Sequence, residues 1–240
     1  MARLSRIVIP GVAHHVTQRG NRRQPVFFSN DDRRLYLKLV SEGSAAANVR
    51  CLAWCLMDNH VHLILVPSTE DSLRAALGEA HRRYTRHVNF REGWRGYLFQ
   101  GRFASYPMDD AHLMAAVRYV ENNPVVAKMA ARSEDWRWSS ARSHIAGKRM
   151  TDDPLTDMEA LGAHVPNWRA LLRHGLEAGG ASDEGQAVAE AMEARLRTGR
   201  PLAADEWIAA QEAATGRALA PKKRGPKPRT GQVAAAPAPT

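Results

Sequence analysis

Two histidines bracket one apolar residue at the start of an apolar run, His60-Val61-His62, followed by Leu-Ile-Leu-Val. The run is rich in apolar and β-branched residues and ends at Pro67, which predicts a strand. Residues two apart on a strand share a face, so His60 and His62 point together. Two neutral imidazoles make half of a metal site that a carboxylate, amide or water oxygen could complete. The alternative is a pair of partly exposed histidines, because two ligands do not define a metal.

A second pair of reactive residues lies in a predicted helix over 111–123. Tyr119 and Asn123 are four residues apart and therefore on one helical face. The helix is expected to end where Asn123 meets Pro124. An exposed tyrosine hydroxyl beside an electrophile can act as a nucleophile, and an amide oxygen one turn later could complete a metal site. The alternative is a tyrosine that packs on the sheet and an asparagine that caps the helix.

The elements that would position these residues follow from turn signals and hydrophobic periodicity. Strands are predicted over 13–18, 49–56, 60–66 and 104–108, the second and third forming a hairpin. A first helix is expected after the capping residues 29–32 and ends near Gly43. A second begins near Asp71 and is broken at Gly93, and Asp109 and Asp110 cap the helix that carries Tyr119.

Composition sets the class of protein and of partner. With 240 residues and 44% hydrophobic content, the chain can bury a core. Its net charge of +9 and pI of about 10.1 favour a polyanionic partner, most commonly nucleic acid. No signal peptide or membrane-length run is present, so we expect a cytoplasmic, nucleoid-associated protein without a membrane partner. Cys51 and Cys55 are predicted to lie on one strand face as buried thiols.

The composition and the predicted secondary structure of the chain change beyond residue 150. Helices are predicted near 168–176, 185–197 and 205–214, separated by glycine-containing breaks. A basic stretch at 222–229 contains prolines that exclude a regular helix, and it resembles an AT-hook. Such an arm could contact DNA, and the alternative is a flexible solubilising tail. We predict three parts: 1–150, a helical region over 151–218, and a basic disordered tail over 219–240.

The motifs resemble those of one family. His60-Val61-His62 is similar to the histidine-hydrophobe-histidine motif of single-tyrosine transposases of the insertion-sequence-200 (IS200) type, in the HUH superfamily. Residues 119–124, Tyr-Val-Glu-Asn-Asn-Pro, resemble their tyrosine helix. Further segments occur in the order typical of REP-associated tyrosine transposases, which are linked to repetitive extragenic palindromes in bacteria. These segments are 10–11, 15–21, 98–103 and 138–140. The resemblance covers about the first 145 residues.

The resemblance implies a fold, a chemistry and a set of site residues. The fold would be α+β, a ferredoxin-like domain with a central antiparallel sheet. His60, His62 and Asn123 match the family's ligands for Mg²⁺ or Mn²⁺, and Tyr119 matches its nucleophile, which forms a 5′-phosphotyrosine with single-stranded DNA at a palindromic hairpin. The basic residues expected to bind DNA are Arg19, Arg22, Arg23, Arg82, Arg83, Arg86, Arg102, Lys222, Lys223, Arg224, Lys227 and Arg229.

Some properties stay open at the level of sequence. Many relatives carry a Gly-Thr-aromatic-Tyr segment that reads a guide tetranucleotide, whereas residues 11–14 here are Gly-Val-Ala-His, so the DNA sequence preference is undetermined. Mobile relatives act as homodimers with exchanged tyrosine helices, and no residue decides whether this chain does. The competing classes are a non-catalytic DNA-binding regulator, a metal-dependent nuclease that uses water, and a replication- or mobilisation-type nickase.

Overall fold

A four-stranded antiparallel sheet forms the centre of the computed structural model, which describes residues 6–162, 165–179 and 183–220. Its strands are β1 (His14–Arg19), β2 (Val49–Leu56), β3 (His60–Pro67) and β4 (Ala104–Pro107), in the order β2-β3-β1-β4. Helix α1 (Asn30–Ala46) connects β1 to β2, and α2 (Ser72–Glu92) connects β3 to β4. This connectivity is the ferredoxin-like arrangement, which confirms the predicted fold class.

The two faces of the sheet bury separate cores. Leu63 and Leu65 of β3 pack with α1 and α2, while Ile64 packs on the other side with α3 (Asp110–Val126). This alternation follows from the strand's period of two. The α3 side also receives residues from later helices, so the C-terminal part contributes to the core that lies behind the tyrosine helix.

Three helices confirm the predicted helical stretches of the C-terminal part: α6 (Trp168–Gly179), α7 (Asp183–Thr198) and α8 (Asp205–Thr215). Two short helices that were not predicted precede them, α4 (Ala141–Ala146) and α5 (Met158–Gly162). The division at 150 and 218 stays a prediction. Of the predicted disordered tail, 219–240, residues 221–240 lie outside the described residues, whereas Leu219 is buried and packs with Ile9 and Ile208. None of the helices in the described ranges is long and apolar enough to cross a membrane.

Capping side chains set the predicted helix ends. Ser29 and Asp32 form a reciprocal capping box at the start of α1. Asp109 accepts a hydrogen bond from the His112 backbone N–H at 3.0 Å and so caps α3. Gly93 adopts φ +66°, a left-handed conformation that ends α2.

Two predicted helix ends were wrong. Gly43 lies inside α1 because its missing side chain allows α1 and α2 to approach closely: a Cβ there would lie 2.5 Å from the Ala76 carbonyl oxygen. Helix α3 continues through Pro124 to Val126. Proline removes only its own N–H donor, and the next turn still closes with a 2.9 Å bond from the Ala127 N–H to the Asn123 carbonyl.

A β-bulge also overturns the expectation that both cysteines share one face. The register of β2 against β3 shifts between Cys51 and Ala53. Cys51 therefore packs in the core under α1 and α2, whereas Cys55 packs in the core under α3. Both are buried free thiols, as predicted.

Candidate active site

The two histidines of β3 point to the side of the sheet covered by α3. The ring centroids of His60 and His62 lie 4.8 Å apart with the rings nearly perpendicular, at 81°. His62 is buried and His60 is half-buried. The strand therefore brings them together as its period of two requires, with one imidazole reachable from solvent.

Helix α3 places Tyr119 against this pair. The Tyr119 ring centroid lies 5.5 Å from that of His62, and the rings meet edge to face at 89°. The Asn123 side chain, one turn further along α3, is hydrogen-bonded to the Tyr119 side chain. Three of the predicted residues thus converge directly, and Asn123 joins them through the tyrosine.

A third histidine, which sequence reasoning missed, supports the pair from the neighbouring strand. His15 Nε2 lies 2.9 Å from His62 Nδ1, and the two rings stack with centroids 5.1 Å apart. His15 Nδ1 lies 3.0 Å from the Tyr106 hydroxyl on β4. His15 is diagonal to His62 because Thr17 is its direct partner in the β1–β3 register. His15 lies in the segment 15–21 that resembles the family, but its contact with His62 depends on the β1–β3 register and so could not be predicted from the sequence.

The free ring nitrogens fit a divalent metal. His62 Nε2 is buried and has no hydrogen-bond partner within the described part of the chain. His60 Nδ1 lies 2.6 Å from Asn59 Oδ1, an acceptor, so it carries the hydrogen and leaves Nε2 unprotonated. Among the described residues no cluster of three or more His, Cys, Asp or Glu could hold a metal. A third protein ligand would therefore be another kind of oxygen donor, such as the amide of Asn123.

Burial keeps both imidazoles in the form that binds metals. Desolvation, with the nearby charges of Arg19 and Arg23, lowers the pKa of His60 to about 4. Desolvation and the neighbouring histidines hold the pKa of His62 well below its usual range. Both rings are therefore neutral at neutral pH.

The environment of Tyr119 opposes its ionisation on balance. Burial raises the pKa of Tyr119, and the charge of Glu193 on α7 raises it further. The hydrogen bond from Asn123 and the charge of Arg19 act in the opposite direction. A nucleophilic Tyr119 would thus need further positive charge near its oxygen, which a bound metal or the arginines can supply.

Other tyrosines are less suited to attack a phosphate here. The Tyr106 hydroxyl is engaged with His15. Tyr84 is buried in the opposite core, where its hydroxyl donates to the Val26 carbonyl at 2.6 Å. Tyr97 is exposed on the loop after α2 and lines a different cavity.

A basic cavity opens over β1, the strand that pairs with the one carrying the histidines, although neither histidine lines it. Its volume is about 350 Å³, and Arg19, Arg23 and Arg102 line it, which brings together three of the predicted DNA-binding residues. Helix α7 adds Glu193 and Arg197 from a distant part of the chain. Sequence reasoning did not associate these two with the site, because nothing in their local pattern signals the contact.

The remaining predicted DNA contacts do not join this cavity. Arg82 pairs with Glu79 on the exposed side of α2, and Arg83 pairs with Glu42 of α1. Arg86 is exposed on the same helix, which covers the other face of the sheet. Arg22 is exposed next to the cavity-lining Arg23. The five tail residues, Lys222, Lys223, Arg224, Lys227 and Arg229, lie outside the described residues.

A buried polar network fixes the helix that carries Tyr119. Glu121 accepts hydrogen bonds from Ser140 Oγ at 2.5 Å, His144 Nδ1 at 2.6 Å and Trp168 Nε1 at 2.7 Å. The Asn122 amide donates to the Leu172 carbonyl at 2.9 Å. Buried hydrogen bonds therefore tie α3 to residues 140–172, which follow it in the chain.

Part of the chain is similar to a known protein family. Residues 9–123 match the family model for IS200-like transposases. The matched range contains both histidines, Tyr119 and Asn123. No match was found among curated proteins.

Two solved structures are similar in fold. A REP-associated tyrosine transposase bound to a REP hairpin is 19% identical, with a TM-score of 0.53 over 66% of this chain and 93% of that chain. A protein from Deinococcus radiodurans assigned as a transposase is also 19% identical and covers 50% of this chain and 97% of its own. Its TM-score of 0.36 is too low to support an argument. The first match supports the shared fold.

Proposed function

We propose that this protein is a metal-dependent transposase that cuts and rejoins single-stranded DNA at palindromic, REP-like hairpins. The observation that carries the proposal is the contact of Tyr119 with His62 beside His60, within a segment that matches the IS200-like family model. The choice of a hairpin substrate is supported by the fold shared with a transposase that was solved with a REP hairpin.

The chemistry would be a transesterification. The Tyr119 oxygen attacks the scissile phosphorus, the bond to the 3′ oxygen of the preceding nucleotide breaks, and that oxygen leaves as a 3′-hydroxyl. The tyrosine is then joined to the 5′ phosphate. Asn123 donates a hydrogen bond to the phenolic oxygen and Arg19 favours its negative charge. Because one ester replaces another, a second 3′-hydroxyl can reverse the step without ATP.

His60, His62 and Asn123 would hold the divalent ion, Mg²⁺ or Mn²⁺. When bound, such an ion supplies positive charge to the phosphate oxygens and to the leaving oxygen. The orphaned His62 Nε2 is the feature of this chain that supports a metal at this place. Arg19, Arg23 and Arg102 would contact the phosphates next to the cleavage point, and the basic tail would add salt-sensitive affinity.

The test is a covalent adduct assay with a single-stranded oligonucleotide that contains a palindrome. The wild type is expected to form a protein–DNA adduct in Mn²⁺ or Mg²⁺, and a chelator is expected to abolish it. Tyr119→Phe is expected to bind the DNA as tightly but to form no adduct, because it lacks the attacking oxygen. Tyr97→Phe is the matched control and retains the adduct.

Three outcomes would contradict the proposal. An adduct with Tyr119→Phe would exclude this tyrosine as the nucleophile. DNA binding by the wild type with no adduct in either metal would favour a non-catalytic regulator, and cleavage without an adduct would favour a nuclease that uses water.

A further inference from the structure

Four aromatic side chains are exposed on the surface that runs from the start of α1 to the loop after α2. Phe90 is 90% exposed, Tyr97 87%, Trp94 47% and Phe28 43%. Grouped aromatic surface is unfavourable in water and commonly marks an interaction site. None of these rings belongs to the candidate active site formed by His60, His62 and Tyr119.

Two of these rings line a second cavity, of about 330 Å³. Trp94 and Tyr97 form part of its wall together with Asn21, Arg22 and Arg95. Within the described ranges the side chains of Arg22 and Arg95 have neither an ion pair nor a hydrogen bond. Aromatic faces beside free guanidinium groups are the combination that binds single-stranded nucleic acid, since bases stack on the rings and phosphates meet the charges.

Hydrogen bonds tie the loop that carries Trp94 and Tyr97 to the end of α2. The Trp94 N–H donates to the Asn89 carbonyl at 2.8 Å, and the Asn89 side-chain amide donates to the Gly96 carbonyl at 2.9 Å. The Trp94 ring meets Phe28 edge to face, with centroids 5.6 Å apart. A ring that is already fixed loses little freedom when a base stacks on it.

The part of the cavity wall that Arg22 forms has an uncommon backbone conformation. Arg22 has φ +52° and Arg23 φ +61°, both in the left-handed region that non-glycine residues seldom adopt. Such conformations persist where the surrounding structure enforces them, often at functional sites. Here the consecutive arginines reach two different cavities: Arg23 lines the basic one over β1 and Arg22 the aromatic one.

Backbone hydrogen bonds connect the aromatic cavity to the candidate active site. The Asn21 N–H donates to the Leu98 carbonyl at 2.8 Å, and the Gln100 N–H donates to the Arg19 carbonyl at 2.9 Å. Arg19 is the register partner of His60. The aromatic loop therefore lies along the end of β1 at which the histidine pair begins, and a strand that leaves the site over Arg19 and Arg23 would reach it.

We propose that Trp94 and Tyr97 stack on unpaired bases of the DNA strand next to the cleaved phosphate, with Arg22 and Arg95 at its backbone. The proposal rests on the proposed function and specifies how the same site holds its substrate. Stacking needs an exposed base face, which a duplex stem does not offer. The aromatic cavity would therefore select the single-stranded flank rather than the hairpin stem.

The test measures equilibrium binding of a labelled oligonucleotide that has a palindrome and a single-stranded flank, with abasic sites introduced one at a time in the flank. Tyr97→Ala and Trp94→Ala are each expected to weaken binding about tenfold, and Tyr97→Phe to restore it. An abasic site at the stacked position should weaken the wild type similarly but leave Tyr97→Ala unchanged. Phe90→Ala, an exposed ring that does not line the cavity, is the matched control and binds as the wild type does.

Three results would overturn this inference: equal losses on fully duplex DNA, no coupling between Tyr97→Ala and any abasic site, or an effect of Tyr97→Ala on self-association alone. An adduct assay on the same oligonucleotide separates this proposal from the proposed function. An adduct without coupling refutes only the stacking site. Coupling without an adduct supports the stacking site and refutes the transposase chemistry.

Discussion

His15 is buried and contacts both the candidate metal ligand His62 and the ring of Tyr119. With a metal at His62 Nε2, the His62 Nδ1 hydrogen would point to His15 Nε2, 2.9 Å away, and His15 Nδ1–H would point to Tyr106. Such partners orient a ligating imidazole and raise its basicity. We therefore expect His15→Leu to lower the affinity of the free protein for Mn²⁺ about 10- to 100-fold, as measured by calorimetric titration.

The neighbouring His14 is the matched control. It is equally buried and bonds the Val12 carbonyl and the Ile9 N–H, so His14→Leu should destabilise the fold without a change in Mn²⁺ affinity. If both variants bind Mn²⁺ alike, His15 has only a structural role.

At the residue scale, the sequence predicted the parts of the site that lie close together along the chain. His60 and His62 are two residues apart on one strand, and Tyr119 and Asn123 are one helical turn apart. His15 and Glu193 could not be predicted in this way. Their proximity depends on the strand register and on the packing of α7, which are set by long-range contacts.

At the scale of elements, α3 is held by a buried polar network. Glu121 is fully buried and accepts hydrogen bonds from Ser140, His144 and Trp168, which all follow α3 in the chain. Glu121→Gln replaces an acceptor oxygen with a donor and leaves a buried donor unpaired, at a cost of about 1–3 kcal/mol. We expect a lower urea midpoint for unfolding and, because Tyr119 is less well positioned, slower adduct formation at saturating DNA.

The readouts separate positioning from folding alone. Glu79→Gln, which breaks only an exposed ion pair with Arg82, should change neither the urea midpoint nor the adduct rate. If Glu121→Gln loses stability but keeps the wild-type adduct rate under conditions in which it is fully folded, the network does not position the nucleophile.

The elements themselves were largely predictable, because hydrophobic alternation, capping residues and glycine breaks are local signals. The failures share a physical cause. Glycine and proline often end helices. Here Gly43 stays inside α1 because only a residue without a side chain allows the close packing against Ala76. Pro124 stays inside α3 because, near the end of the helix, it removes a single hydrogen bond. The bulge at Cys51 inverts a strand's alternation without a sequence signal of its own.

At the scale of the whole molecule, buried neutral histidines make the fold sensitive to acid. Burial lowers the pKa of His14 to about 4, and that of His15 and His81 to about 3. As the pH falls below the ordinary value of 6.5, the unfolded chain therefore takes up protons before the folded one. Each histidine lowers the free energy of unfolding by about 1.4 kcal/mol per pH unit in this range. The free energy of unfolding should therefore be highest above about pH 6.5 and decrease steadily towards pH 4.

His81 offers the sharpest test, because it lies away from the candidate metal site, 2.9 Å from the Tyr36 hydroxyl in the opposite core. Glutamine there can still bond Tyr36 but does not titrate. His81→Gln should therefore reduce the slope of unfolding free energy against pH, between pH 6 and 4.5, by about 1.4 kcal/mol per pH unit. Denaturant titrations at several pH values measure this slope, and His174→Gln, an exposed histidine, should leave it unchanged. Parallel slopes for His81→Gln and the wild type would mean that His81 takes up its proton in the folded state, and the acid sensitivity would then have to arise elsewhere.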